Sequence, residues 1–557
     1  MKKLHLIAAG ILFAACSYGN NETASVMQRV FDADRKADAA WEKCDTMEKF
    51  KARRAMLREK TIATLGGFPE KTPLNAKTFS VVKRDGYKIE KVAFESRPGI
   101  HVTALLYLPD SPEFKAPYPG IILPCGHSAN GKGAEAYQRG CVMGAKEGFA
   151  VMIYDPFDQG ERIQNSPGGI SVHGHNTAGI KSSLVGKSMA LYRVWDGIRA
   201  IDYLVSRKDI DPGKIGCMGN SGGGTLTTYI SALDPRVKAA CPACFVSSVR
   251  EVVEHCGPQD AEQCIFGQLE FGLNHAGFVL MAEGAIRLQV SEGDFFPVKG
   301  SIETFELVKR VSTKLGIADR YDMTIVKGPH GWKESSRRSS LDWMRKWLMG
   351  DNSIKRTQED YRKLDIGFDH KKVDCGLPKP EYNVTKNGKV SSLPGERTIY
   401  DLVRDEAAKA KRAAKCTRET VSCEGASTLV FDAKGTSVHV FYGTKAPSEE
   451  LAVLYHLLGT SLVEERAKEI EAAVRAEMKK TGKPPVVVAH ESWCPAVAFA
   501  YAKAPECFSG IRCVKAPDSW KKAIEENGKY LFSSSVTGGY LKADWVDLLP
   551  ANTTFEK

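Results

Sequence analysis

The sequence predicts an α/β protein: a mostly parallel, doubly wound sheet with helices on both faces, followed by a second, smaller α/β domain. Three observations lead there. Short apolar runs alternate with helix-length segments between residues 120 and 326. Those runs are continuously apolar, as strands covered on both faces are. The alternation stops in a polar stretch near residue 351 and resumes from about residue 397.

In chain order, residues 24–66 are helix-rich, with Trp41, Phe50, Met56 and Leu57 at loose helical spacing. Gly66-Gly67-Phe68-Pro69 ends that region. Phe79 to Val82, Lys88 to Glu95 and His101 to Leu108 read as strands, with turns at Asp85-Gly86 and Pro98-Gly99. Strands then follow at Gly120 to Pro124, Phe149 to Tyr154, Lys214 to Met218, Val237 to Ala243, Ile286 to Val290 and Thr324 to Val326. Helices are expected around Glu135 to Gly148, Ser188 to Ser206 and Thr225 to Leu233. The predicted organisation is an export segment at 1–16, a main domain over 24–350, a linker over 351–396 and a second domain over 397–557.

Hydrophobic residues make up 43% of the 557 and charged residues 26%, enough for a sizeable core. The formal net charge is +11, but the basic residues are scattered and no nucleic-acid motif accompanies them, so no nucleic-acid partner is predicted. Lys2 and Lys3 precede the short apolar stretch Leu4 to Ala15, which reads as an export signal and is too short to span a bilayer. Leu12-Phe13-Ala14-Ala15-Cys16 resembles a lipoprotein signal, although Phe13 stands where an aliphatic residue is preferred. Plain cleavage and lipidation at Cys16 both remain open. The expected location is periplasmic or cell-surface, with membrane contact only through that anchor.

The chain has 15 cysteines. In an exported protein Cys256/Cys264, Cys416/Cys423 and Cys507/Cys513 are plausible disulfide pairs by their spacing. Cys241-Pro242-Ala243-Cys244 is spaced like half a zinc site but has no second half, so it reads as core or disulfide. No metal or cofactor site is predicted.

The chemistry-bearing motif is Gly219-Asn220-Ser221-Gly222-Gly223-Gly224, between a predicted strand and a predicted helix. This is G-x-S-x-G in the context it needs: a nucleophilic serine on a sharp turn that side chains two residues away would crowd. A serine hydroxyl needs a base, and the base needs a carboxylate to orient it, in the chain order serine, acid, histidine. Between Ser221 and the linker lie only His255, His275 and His330. His330 follows the last predicted strand directly and is the expected base; His255 and His275 are expected to be structural or pocket-lining. The strand Ile286 to Val290 runs into Ser291-Glu292-Gly293-Asp294. Asp294 is the expected acid because Gly293 lets the chain turn and aim it; Glu292 is the alternative. The oxyanion needs two backbone N–H donors. These are assigned to Gly222 and, in the loop after the strand Gly120 to Pro124, to His127.

At these residues the chain resembles the α/β-hydrolase superfamily, in particular its bacterial acetyl-xylan-esterase-like branch, which borders on prolyl-oligopeptidase-type sequences. The resemblance runs from about Asn75 to Leu348. It is carried by Phe94-Glu95-Ser96-Arg97-Pro98-Gly99, Tyr107-Leu108-Pro109, Tyr154 to Arg162, and Trp195-Asp196 with Ile201-Asp202-Tyr203-Leu204. Asp158 stands where such sequences carry a glycine. The resemblance implies carboxylic-ester hydrolysis, often of acylated polysaccharide, through an acyl-enzyme. A peptidase of the prolyl-oligopeptidase type and a non-catalytic glycan-binding lipoprotein are the alternatives. The three strands before Leu108 are too few for a propeller, which argues against the peptidase.

The second half repeats part of the first. Gly186-Lys187-Ser188 with Arg193 corresponds to Gly459-Thr460-Ser461 with Arg466, and Ser221 corresponds to Ser492. Gly219, Gly222 and Gly223 are replaced by His490, Trp493 and Cys494, and no histidine follows His490. A second triad in the same order is therefore impossible. Residues 397–557 read as a degenerate α/β-hydrolase-like domain.

Overall fold

The computed structural model describes residues 2–164, 172–256, 260–364, 380–424, 426–431, 447–525, 536–537 and 539–557, with the side chains of 2–21, 172–173 and 447–450 left aside. The residues read above as an export signal are part of the first helix, α1 (Lys2–Glu42); the Cys16 side chain lies outside the described ones. No described helix is long and apolar enough to cross a membrane. Val26, Val30, Phe31 and Trp41 of α1 are buried at helical spacing. α2 (Met47–Leu65) begins at Thr46, whose side chain accepts the Lys49 N–H, and stops at Gly66 in the left-handed conformation (φ 104°).

The main sheet contains β1 (Lys77–Arg84), β2 (Tyr87–Arg97), β3 (Ile100–Pro109), β4 (Tyr118–Pro124) and, after α3 (Glu135–Ala145), β5 (Ala150–Tyr154). α4 (Val172–Leu184) and α5 (Met189–Val205) lead to β6 (Ile210–Asn220), α6 (Gly222–Leu233) and β7 (Val237–Ala243). α7 (Val249–His255) and α8 (His275–Met281) precede β8 (Ala285–Gly293), α9 (Val298–Lys314), β9 (Tyr321–Pro329) and α10 (Glu334–Met344). The strand order is β1-β2-β3-β5-β4-β6-β7-β8-β9. β1, β2, β3 and β5 pair antiparallel along that edge, and every pair from β5 onward is parallel. The predicted strands are therefore one sheet, with the N-terminal hairpins as its edge rather than a separate unit. After β4 the chain steps one way to β5 and then returns to β6 on the other side. The carboxyl ends of β4 and β6 thus flank a topological switch point, where open α/β sheets bind their ligands.

A second sheet has four parallel strands in chain order. After α11 (Gln358–Lys363) and α12 (Ile399–Lys409) come β10 (Thr428–Phe431), α13 (Pro447–Leu457), α14 (Leu462–Thr481) and β11 (Val486–His490). α15 (Trp493–Lys503), β12 (Gly510–Val514), α16 (Trp520–Glu525) and β13 (Thr554–Glu556) complete it. The succession α5-β6-α6-β7 recurs as α14-β11-α15-β12. Ser188 and Ser461, paired in the sequence repeat, are the N-caps of α5 and α14. Phe157, Leu184, Met189 and Tyr192 share a hydrophobic core with Val463, Val497 and Trp545, so the two sheets are welded through α4 and the start of α5. The connection also docks: the Val384 and Thr385 N–H groups donate to Glu161 (2.7 and 2.8 Å), and Arg397 N–H donates to Gly99 O (2.6 Å).

The expected cysteine pairs do not form; all 13 described cysteines are free thiols. Neighbours in sequence are turned to different surroundings. Cys256 donates to Phe295 O (2.8 Å), whereas Cys264 is buried with Val26 and Leu454. Cys513 on β12 packs with Cys494, while Cys507 lies 3.7 Å from an Arg475 nitrogen. Cys416 accompanies the C-terminal core, and Cys423 meets Val421 O.

Candidate active site

Ser221 joins β6 to α6 with φ 60° and ψ −127°, a conformation that non-glycine residues hold only where the surroundings impose it. Its N–H donates to Ala243 O (2.9 Å), and its own carbonyl accepts the Thr225 N–H (2.9 Å). The glycines around it answer to crowding. A Cβ at Gly219 would lie 2.7 Å from both Gly223 O and Pro124 O. One at Gly223 would collide with Pro124 O and come to 3.0 Å from Cys125 C and Gly126 N.

β8 and β9 pair as far as Gly293 and Pro329, with a register shift between Ser291 and Gly293, which brings Asp294 and His330 side by side just beyond the sheet. His330 Nδ1 donates to Asp294 Oδ1 (2.7 Å), leaving Nε2 as the basic nitrogen. Asp294 is buried, its Oδ1 also accepts the Phe296 N–H (3.1 Å), and the Phe295 ring centre lies 4.3 Å from that of His330. Glu292, the alternative acid, points away: its side chain is 42% exposed and pairs with Arg362. The serine turn meets this pair through β7, because Ala243 holds the Ser221 N–H while the next residue's thiol, Cys244 Sγ, lies within 4.8 Å of Asp294 and His330. His255 sits on α7 against Glu251 O (3.1 Å), and His275 is buried against Ser247 O (2.7 Å). Neither joins the group.

The loop after β4 closes over the serine turn. Gly126 N–H donates to Tyr137 OH (2.8 Å), and Gln159 Nε2 donates to Gly126 O (2.7 Å). A Cβ on Gly126 would sit 3.1 Å from Ser221 Cβ. Among the described residues nothing accepts the His127 backbone N–H. The loop is anchored by buried Lys132, whose Nζ reaches Asp155 (2.5 Å) and Glu161 (2.6 Å). Asp158, where a glycine was expected, takes the left-handed conformation such a glycine would (φ 63°) and accepts the Gln164 N–H (3.1 Å).

Behind His127 lies a buried group that sequence reasoning did not find. His127 Nε2 is 3.3 Å from Glu262 Oε1 and 3.6 Å from Asp260 Oδ2, and His175 Nε2 is 3.6 Å from the same Asp260 oxygen. Two imidazoles and two carboxylates at these separations would suit a divalent cation by donor type. The neighbours of these four side chains do not. Arg193 pairs with Glu262, and its Nη1 also faces His127 Nε2 (3.3 Å) and His175 Nδ1 (3.4 Å). A metal-bound histidine turns its other nitrogen to an acceptor, whereas His175 turns Nδ1 to the guanidinium, and at His127 the guanidinium faces the very nitrogen a cation would need. Arg193 is the cation of this group. Burial pushes His127 down to about 4 and Glu262 up to about 7, and raises Asp260. These residues come from four separate segments, so no local pattern announces them; Arg193 stood out only as a marker of the repeat.

The second copy is built differently at the same place. The positive φ falls on Glu491 (49°), one residue early, and Ser492 is a helical N-cap (φ −66°). Its Oγ accepts from Arg466 Nη1 (2.7 Å), and the Trp493 ring lies 4.5 Å from that guanidinium.

Residues 59–269 match the acetyl xylan esterase family (AXE1). The YtaP protein of Bacillus subtilis (strain 168) is 26% identical over 207 residues, 34% of this chain and 64% of that protein, so the chain spans less than two thirds of this relative. Among solved structures, Methylesterase BT1017 is 21% identical over 68% of this chain and 80% of that one, with a TM-score of 0.49. The acetyl xylan esterase from Paenibacillus sp. R4 is 18% identical over 53% of this chain and 94% of that one, with a TM-score of 0.38.

Proposed function

We propose, for a chain of the α/β-hydrolase superfamily whose residues 59–269 match the acetyl xylan esterase family, that it hydrolyses carboxylic esters of carbohydrates, of acetyl xylan type. The observation that carries this reading is the strained backbone of Ser221 at the strand–helix turn, with a hydrogen-bonded His–Asp pair at the same end of the sheet. In this reading Ser221 Oγ attacks the ester carbonyl while His330 Nε2 takes its proton. The C–O bond of the ester breaks, and His330 returns the proton to the departing alcohol. Water then releases the acid from the acyl-serine by the same route. Asp294 keeps His330 in the required tautomer and balances its charge. The Gly222 and His127 backbone N–H groups face the oxyanion. No cofactor enters the scheme. The N-terminal strands lie within the main sheet and form no propeller of their own, which favours the esterase over a propeller-type peptidase.

The location proposed with this function is outside the cytoplasm, as the basic and apolar residues 2–15 suggest, with Cys16 as the site of any lipid anchor. The test is Ser221→Ala against a short aryl acetate and a panel of acetylated, feruloylated and methyl-esterified glycans. Loss of turnover by orders of magnitude is expected, with acetate the main acid released by the wild type. Undiminished turnover in the variant would refute the assignment.

A further inference from the structure

We infer that the His127 side chain is itself a catalytic residue: its Nδ1–H donates to the carbonyl oxygen of the ester beside the Gly222 N–H, and Arg193 is the positioning residue that holds the imidazole in that tautomer. This rests on the reading of Ser221 as nucleophile and deepens it.

Place comes first. A Cβ built on Gly222 would lie 2.8 Å from His127 Cε1 and 3.1 Å from His127 Nδ1. The ring therefore occupies the space a side chain at Gly222 would need, which is why that position is glycine. A backbone nitrogen is about 2.5 Å from its own Cβ, so His127 Nδ1 is at most about 5.6 Å from Gly222 N. Two donors that close together reach one oxygen at the ordinary ~2.9 Å each.

The tautomer follows from the group behind. A guanidinium nitrogen donates and never accepts. Arg193 Nη1 is within hydrogen-bond geometry of His127 Nε2 (3.3 Å), whereas Glu262 Oε1 at the same distance makes no hydrogen bond among the described residues, which places the lone pair on Nε2 and the proton on Nδ1. Burial keeps the ring neutral down to about pH 4. Among the described residues nothing accepts from Nδ1, and the side chain is 15% exposed although Asp260 and Glu262 behind it are closed from solvent. The proton stays on Nδ1 throughout; His127 supplies a hydrogen bond, not a proton.

The buried charges then have a use. Arg193 and Glu262 pair inside the protein, and Asp260 is fully buried beside His127 and His175. Structures retain such groups where function requires them. Together they hold a neutral histidine against a fixed positive charge. The degenerate copy keeps the arginine and loses the rest: Trp493 stands at the place of Gly222 and packs on Arg466, the equivalent of Arg193. Where the glycine is gone, a tryptophan ring lies over the arginine.

The test compares three variants at His127 and one at Arg193, using an aryl acetate. His127→Phe keeps a ring without a donor and should lower kcat by about a hundred- to a thousandfold with KM nearly unchanged. His127→Asn, whose amide N–H falls near the place of Nδ1, should recover at least tenfold of that loss. His127→Gln, whose amide reaches toward Nε2, should not. Arg193→Met should lower kcat at alkaline pH, where the neutral ring can then carry its proton on Nε2 toward Glu262 and leave Nδ1 bare, and it should add no further loss in the His127→Phe background. If the wild type releases acid in a Ser221-dependent way while His127→Phe stays within threefold of it, the inference is wrong and the hydrolase reading stands. If the wild type neither releases acid nor labels at Ser221 with a fluorophosphonate, the hydrolase reading itself has failed. Should His127→Phe not fold, equal activities of the Asn and Gln variants would overturn the inference. Stoichiometric metal in the purified enzyme, with activity lost on chelation, would overturn it too.

Discussion

Asp294→Asn isolates what the carboxylate contributes beyond holding a ring. Asp294 Oδ1 accepts from both His330 Nδ1 (2.7 Å) and the Phe296 N–H (3.1 Å). A carboxamide replacing it meets two donors at that one position, so its oxygen stays there. The imidazole then keeps its place and tautomer, and the variant loses chiefly the negative charge facing the imidazolium of the transition state. With charge centres ~4 Å apart in an effective dielectric of about 20, that interaction amounts to about 4 kcal/mol, or roughly a thousandfold in rate. The new amide nitrogen falls at the buried Oδ2, which among the described residues has no oxygen or nitrogen partner, so stability should also drop by about 1–3 kcal/mol. The assay is steady-state hydrolysis of an aryl acetate, with urea unfolding in parallel. Glu292→Gln is the matched control. Its exposed side chain pairs with Arg362 on the surface, so kcat should change by no more than about twofold. Full activity in Asp294→Asn, or a thousandfold loss in Glu292→Gln, would refute the reasoning and transfer the role to Glu292.

Three other outcomes follow from the packing. Gly223→Ala should yield little folded protein, because its Cβ collides with Pro124 O on the fixed backbone of β4; a soluble variant of wild-type thermal stability would contradict this. Arg162→Met should cost about 3 kcal/mol in urea unfolding, since it strands the buried Asp196 carboxylate now held at 2.7 Å, and Arg162→Met with Asp196→Leu should recover part of that loss. His275 is buried and held at about 4, below the usual histidine value of 6.5. The unfolded chain therefore takes up its proton first as pH falls, and stability present above pH 6.5 declines toward pH 4, by about 2 kcal/mol at pH 5. His275→Leu should remove that share of the pH dependence, and an unchanged slope between pH 7 and pH 5 would count against it.

Patterning along the chain was enough to locate the strands, because burial on both faces demands unbroken apolar runs, and each predicted strand of the main sheet lies within or against an observed one. The turn at Ser221 was legible for the same local reason: only glycine tolerates the approach of Pro124 O and of the helix that follows. The choice between Asp294 and Glu292 was narrowed by Gly293 but rests in space on the β8–β9 register and on Arg362, 70 residues away. Cysteine spacing misled, because closeness in sequence says nothing about which face of an element a thiol occupies. The loop at Asp158 shows the reverse: the residue departs from the family pattern, yet the backbone keeps the glycine-like conformation because the Asp158 carboxylate holds Gln164.

By itself, then, the sequence determined the layered α/β architecture, the strained serine turn and the loss of that turn in the second copy. Each of these depends on residues adjacent in the chain. Only the tertiary structure decided the group around Arg193. His127, His175, Asp260 and Glu262 leave no mark on their own neighbourhoods. What joins them is the switch point of the sheet, where the loop after β4 meets the helices that follow β5 and the connection between α7 and α8, and where burial makes their charges matter to one another.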